Sequence, residues 1–209
     1  YIGFTGSKEA GLRIHEQASK TAPGQIWIKR TVLERGGKDA IIVDDEADLD
    51  AAVEGVVQAS FGYSGQKCSA CSRAIVTRKV YDTFVKKLKE RVEKIKVGPV
   101  EDPTNYMGPV INKSSMQSIQ EYIEIGRKEG RLITGGGPAG GDGYFLQPTV
   151  IADVGPKARI AQEEIFGPVV GIMKFDSDEE AVAIANDSMY GLGGGVFSSN
   201  HARAARPAR

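Results

Sequence analysis

Two cysteines, Cys68 and Cys71, stand three residues apart in the run Gly65-Gln66-Lys67-Cys68-Ser69-Ala70-Cys71-Ser72-Arg73, and the chain has no others. A cysteine on a loop of small residues beside a lysine is placed to ionise, and a thiolate is a potent nucleophile at neutral pH. The same residues also suit an inert buried cysteine. The spacing fits a C-x-x-C redox motif, but no proline lies in it and a β-like run follows instead of a helix. A second cysteine pair, which a four-thiolate zinc site needs, is absent, so no metal is expected. A second cluster is Leu33-Glu34-Arg35-Gly36-Gly37-Lys38, a carboxylate just before two glycines whose backbone can approach a ligand closely. An exposed turn carboxylate reads the same way. The third is Phe4-Thr5-Gly6-Ser7, with Gly11 four residues on. A strand that ends at a glycine turn into a helix offers backbone N–H groups and the positive end of the helix dipole to a pyrophosphate, although a structural turn uses the same residues.

These clusters sit between alternating elements. Ile2 to Thr5 reads as a short strand, and Gly6 to Gly11 as the turn into a helix carrying Leu12, Ile14 and Ala18. Asp39 to Val43 is a continuous apolar run, as in a strand buried on both faces. Asp48 is placed to cap a helix in which Leu49, Ala52, Val53, Val56 and Val57 fall on one face. The Cys68 segment is expected in a loop between that helix, ending near Phe61, and a strand at Ala74 to Val76. Tyr81, Phe84, Val85, Leu88, Val92 and Ile95 form the apolar stripe of an amphipathic helix. Ile119 to Ile125 reads as a helix stopping near Gly126 to Gly130, Val169 to Phe175 as a strand, Glu179 to Asn186 as a helix and Leu192 to Ser198 as a strand. Gly135 to Gly143 lacks the lysine and hydroxyl residue of a phosphate loop and reads as a turn. His201 to Arg209 is expected to fray. Strands alternating with helices predict an α/β protein with a largely parallel sheet flanked by helices.

Composition narrows the function classes. The 209 residues are 41% hydrophobic and 26% charged, ordinary for a globular protein with a sizeable core. The 27 basic and 27 acidic residues cancel, so no net field draws in nucleic acid or an anionic membrane surface. No apolar run approaches the roughly eighteen residues of a membrane span. Two thiols in a cysteine-poor chain suit a reducing, cytoplasmic setting. The chain opens on Tyr1 in a strand-like run, as expected of a fragment.

Phe4 to Ser7, Glu34 to Lys38, Gly65 to Cys68 and Glu163-Glu164-Ile165-Phe166-Gly167-Pro168 stand in the order of the motifs of the aldehyde dehydrogenase superfamily. Met107-Gly108-Pro109, Gly143-Tyr144-Phe145 with Pro148-Thr149, and Asn186 with Tyr190-Gly191-Leu192 also resemble its landmarks. The resemblance covers nearly the whole chain, to about Ser199. The unbroken string Ser64 to Arg73, with Gly24-Gln25-Ile26-Trp27, is most similar to the branch that oxidises glutamate γ-semialdehyde to glutamate.

The resemblance implies the fold of that family's catalytic domain, NAD as cofactor and a small aldehyde as substrate. Cys68 then matches the nucleophile and Glu34 the base that activates water. Both histidines, His15 and His201, lie away from the motifs, so a carboxylate must serve. Gly6 and Ser7 match the turn beside the pyrophosphate, Glu164 the residue holding the nicotinamide ribose, Phe166 a contact to the ring, and Ser69 a contact to the substrate carboxylate. Residues 1–35 are expected to close a cofactor domain, and residues 36–209 to form a C-terminally truncated catalytic domain. The full-length protein is expected to be a homo-oligomer. Rival readings are another semialdehyde dehydrogenase, one passing its thioester to coenzyme A included, and a non-catalytic structural fragment. Glu34 argues against coenzyme A as acceptor, because a hydrolytic base favours water.

Overall fold

The computed structural model describes residues 1–206. It contains two sheets. In the smaller, β1 (Ile2–Thr5) pairs in parallel with β2 (Thr31–Glu34), and helix α1 (Lys8–Ser19) makes the crossover. Ser7 caps α1, its hydroxyl accepting from the Ala10 N–H. β1 and β2 alternate half-buried and exposed residues. Between α1 and β2 runs an extended segment on which Ile26, Trp27 and Ile28 are more than four-fifths exposed.

The larger sheet is built from β3 (Asp39–Val43), β4 (Cys71–Thr77), β5 (Arg131–Thr134), β6 (Thr149–Ala152), β7 (Val169–Phe175) and β8 (Gly194–Phe197), in the order β5-β6-β7-β4-β3-β8. Every pairing is parallel except β5 with β6. Helices α2 (Leu49–Phe61) and α3 (Tyr81–Val92) cover one face, and α4 (Lys113–Glu129), α5 (Arg159–Gln162) and α6 (Asp178–Asn186) the other. The pleat explains the composition of the strands. Val43, Ala74 and Val76 join Val53, Val57, Phe84 and Leu88 in one core, while Ile42 and Ile75 join Ile119, Ile123 and Ile184 in the second. A strand covered on both sides is apolar along most of its length, which is why Ala40 to Val43 of β3 and Val169 to Met173 of β7 carry no polar side chain.

The helix ends follow from local chemistry. The Asp48 carboxylate accepts from the N–H groups of Asp50 and Ala51, the Asn112 side chain from Ser115 and the Ser177 hydroxyl from Glu180. Four expectations need correction. β4 begins at Cys71, so Cys71 to Arg73 lie in the strand and not in the loop before it. β2, β5 and β6 had no counterpart in the sequence reading, and β8 is confined to Gly194–Phe197. α4 starts at Lys113, earlier than read, though it ends at Glu129 with Gly130 as its cap, inside the expected stop; at Gly126 the missing side chain lets Ile151 pack against the helix. His201–Ala204 forms a seventh helix, α7, instead of fraying. Its Arg203 donates to Asp45 at 2.7 Å and Asp178 at 2.8 Å, pinning the turn to the ends of β3 and α6. The rest of the expected frayed tail, residues 207–209, lies outside the described residues. Gly135 to Gly143 is a turn, as expected, with five glycines at positive φ between β5 and β6.

Candidate active site

Every candidate residue lies where the two sheets meet. Gly6 and Ser7 follow the C-terminal end of β1, and Glu34 ends β2. Lys38 immediately precedes β3, Cys68 precedes β4, Glu164 and Phe166 precede β7, and residues 188–193 precede β8. The small sheet therefore contributes its C-terminal edge, where open α/β sheets bind ligands, and the large sheet its N-terminal edge. The turn Arg35 to Lys38 joins the two. The Gly6 N–H donates to the Glu34 carbonyl at 3.1 Å, so the helix turn and the carboxylate lie side by side.

The glycine pair explains how the parts come together. Gly37 lies so close to the Cys68 carbonyl that a β-carbon would collide with it. Gly36 has φ +96°, and a β-carbon there would stand 2.5 Å from Glu164 Oε2. One short turn thus touches the cysteine loop on one side and the Glu164 carboxylate on the other. The Gly37 N–H also donates to Glu164 Oε1 at 3.0 Å.

The Cys68 loop is held from three directions. Tyr63, Ser64 and Gly65 all adopt left-handed backbone conformations, at φ 59°, 57° and 68°. Such a run strains its two non-glycine members and persists only where surrounding contacts hold it. Ser64 is buried and its hydroxyl donates to the Gly108 carbonyl at 2.8 Å. Gly65 packs on the Gly167 carbonyl with no room for a side chain. The Gln66 side chain donates to the Tyr63 carbonyl at 3.3 Å and accepts from the Ile111 N–H at 2.9 Å. A bulge where Asp39 and Ala40 face Cys71 and Arg73 then sets the entry into β4. Cys68 ends up partly buried, with Ser69 exposed beside it.

Cys71 is different. It is 3% exposed, its thiol donates to the Arg73 carbonyl, and burial pushes its pKa up to about 11. A thiol so disposed is a core group. The ammonium of Lys67 leans toward Gly62.

Glu34 is exposed and faces a cleft of about 380 Å³ lined also by Lys8, Arg35, Met189, Tyr190 and Leu192. No hydrogen bond joins it to Cys68 among the described residues; the link between them is the Gly36–Gly37 turn. Lys8 reaches Met189 across the cleft at 3.5 Å, and the stem of Arg35 lies over Gly11, which explains the glycine in α1. Asp39 accepts from the Gly193 N–H at 3.0 Å and so fixes the far wall. Sequence reasoning missed Ser64 and Gln66 as supports of the loop and Tyr190 as part of the cleft. They lie within motifs it had noticed, but their contacts are long-range.

Glu164 is half-buried, and burial raises its pKa while the Gly37 N–H and Lys38 oppose the rise. Its Oε1 is fixed by Gly37, whereas Oε2 takes no hydrogen bond among the described residues. Phe166 stands nearby with its backbone at φ 54° and its ring 45% exposed. A carboxylate with one oxygen held and one free, beside an exposed ring and near an open helix turn, fits a nucleotide's ribose and base.

A mostly parallel sheet covered on both faces, a cysteine loop propped by left-handed backbone and a carboxylate beyond a double-glycine turn define a class, and the chain belongs to the aldehyde dehydrogenase family, which it matches over residues 1–209. It is 54% identical, over 97% of its length, to the 1-pyrroline-5-carboxylate dehydrogenase of Geobacillus sp. (strain WCH70). Among solved structures it superimposes on the 1-pyrroline-5-carboxylate dehydrogenase from Thermus with bound NAD at a TM-score of 0.95 and 48% identity, covering 100% of this chain and 40% of that one. It also resembles betaine aldehyde dehydrogenase from Staphylococcus aureus in complex with NAD+, at a TM-score of 0.92 and 38% identity over 99% of this chain and 41% of that one. The chain spans only 39% of the Geobacillus protein.

Proposed function

We propose that this chain is the catalytic portion of an NAD-dependent aldehyde dehydrogenase that oxidises glutamate γ-semialdehyde to glutamate, a step of proline degradation. The single observation that carries the reading is the double-glycine turn that packs on both the Cys68 carbonyl and the Glu164 carboxylate. It supports reading Cys68 as the nucleophile and Glu164 as a cofactor-holding group, with Glu34, three residues before Gly37, as the base. Identity near 50% to 1-pyrroline-5-carboxylate dehydrogenases supports the substrate.

In this reading Cys68 attacks the aldehyde carbon and forms a thiohemiacetal. A bound nicotinamide supplies the hydride acceptor. Loss of hydride leaves a thioester on Cys68, and Glu34 takes a proton from the water that hydrolyses it. Glu34 faces an open cleft, where water can reach it. Ser69, exposed beside Cys68, meets the substrate's carboxylate. Glu164 and Phe166 hold the nicotinamide end of the cofactor, and Gly6 and Ser7 the pyrophosphate at the start of α1. Residues 1–35 close the cofactor domain, and residues 36–209 belong to the catalytic domain. The whole protein works in the cytoplasm as a homo-oligomer.

The test is Glu34→Gln in the full-length protein. The thioester should still form, giving a burst of NADH, but hydrolyse slowly, so the steady state is poor. Equal loss of burst and steady state would show that Glu34 serves elsewhere, for instance in holding Cys68.

A further inference from the structure

Lys38 is the residue of the site for which the mechanism has no use, yet it is 2% exposed and its Nζ has no hydrogen-bond partner among the described residues. A buried amine without a partner is expensive, and a methionine of similar length would fill the same space without that cost. Its backbone is well employed. The Lys38 carbonyl accepts two N–H groups from the buried Arg73 guanidinium, at 2.9 and 2.6 Å, and the preceding Gly37 N–H holds Glu164.

The charges around the amine decide what it serves. Arg73 on β4 repels it, and the carboxylates Glu163 and Glu164 attract it from the segment before β7. Cys71 lies close on β4 as a neutral thiol, and Asp39 and Tyr190 complete the charged and titratable groups near Glu164. Glu163 is already committed. Its Oε1 accepts from Arg159, and its Oε2 from both Arg159 and Tyr122. Among the described residues Glu164 has one hydrogen bond, from Gly37, and Lys38 is the cation that acts to lower its pKa. The unspent charge of Lys38 therefore falls to Glu164.

We propose that Lys38 is a positioning residue for Glu164, its buried ammonium supplying the counter-charge that keeps this carboxylate ionised over the Gly36–Gly37 turn. The proposal rests on the reading of Glu164 as the residue that holds the cofactor ribose. Burial and Arg73 bring the pKa of Lys38 down to about 7, so the amine is fully charged in the acidic range where Glu164 takes up its proton. There it favours the carboxylate over the acid, and the sign of its removal follows. Without Lys38, Glu164 protonates at a higher pH.

The experiment is calorimetric titration of NAD across pH in the full-length protein, with Lys38→Met, Lys38→Arg, Glu164→Gln and the Lys38→Met/Glu164→Gln pair. Lys38→Met should move the acid limb of NAD affinity upward by about one pH unit, the low end for losing an opposite charge at close range. Lys38→Arg should restore it, and Lys38→Met should cost nothing further in the Glu164→Gln background. An unmoved limb in folded Lys38→Met, or an equal loss in both backgrounds, overturns the proposal alone. Glu164→Gln binding NAD as the unmutated protein does overturns the ribose reading, and this proposal with it. If Lys38→Met does not fold, the carboxylate carbon signal of Glu164 in the unmutated protein, assigned with Glu164→Gln, takes its place. It should show a second inflection near the Lys38 pKa of about 7, and a single inflection sinks the coupling.

Discussion

Cys68 and Cys71 differ by environment more than by sequence. One is partly exposed on a propped loop, and the other is buried with its thiol pushed up to about 11. Iodoacetamide should therefore alkylate Cys68 first, read by peptide mapping, and Cys71 only once the protein unfolds. In the full-length protein Cys68→Ser should abolish turnover, whereas Cys71→Ala should retain it. Full activity in Cys68→Ser would remove the thioester route. At this scale the sequence was informative, because chemistry-bearing residues stand in short contiguous motifs. What it could not convey was where each lysine side chain goes. Lys67 is adjacent to the nucleophile in sequence but leans toward Gly62, while Lys38 is thirty residues away and buried beside the site.

Two elements prepare the site, and each can be broken separately. The left-handed turn before Cys68 depends on Gly65, whose φ of 68° and close approach to the Gly167 carbonyl exclude a side chain. Gly65→Ala should lower stability by about 1–3 kcal/mol, the usual range for such strain, and should slow Cys68 alkylation. Ser64→Ala, which loses one buried hydrogen bond, should cost about 1 kcal/mol. Thermal unfolding with Cys68 labelling measures both, and normal labelling in Gly65→Ala would show that the turn does not aim the cysteine. The segment carrying Glu164 and Phe166 is anchored instead by Glu163, whose pKa falls from 4.5 to about 2, first through Arg159 and then through Tyr122. A depressed carboxylate stabilises the fold above its unfolded pKa and ceases to do so as pH falls through its folded one. Glu163→Gln should therefore be less stable than the unmutated chain at pH 6, with the gap closing as pH falls toward 2. A urea midpoint difference independent of pH would exclude the ion pair as the source. Element types were legible where periodicity was long, as in α2 and α3, or where burial on both faces made strands mostly apolar, as in β3 and β7. β2, β5 and β6 have four residues each and lack the glycine turn into a helix that marked the equally short β1, and α7 is held by Arg203 reaching back to Asp45 and Asp178, a contact no local pattern contains.

At the scale of the whole molecule, the described small sheet has two strands against six in the large one. β1 and β2 each expose alternate residues, and a cleft of about 660 Å³ beneath them is lined by Ile2, Phe4, Ile14 and Ala18. Apolar surface of this kind, next to strand edges, favours self-association. These 209 residues alone should oxidise no aldehyde and bind NAD no tighter than about 1 mM, or roughly 4 kcal/mol, because groups for the adenine half are not among the candidate residues. Calorimetry and light scattering check this. A monodisperse monomer with micromolar affinity for NAD would show that the cofactor site is already complete. The same region carries Trp27, the single tryptophan of the chain, 82% exposed on the extended segment between α1 and β2. Its indole is thus a built-in optical gauge. In this chain its emission should sit at the long-wavelength, water-like end and be readily quenched by iodide. Anything that covers this segment, whether a second copy or another chain, should announce itself as a blue shift from that one fluorophore.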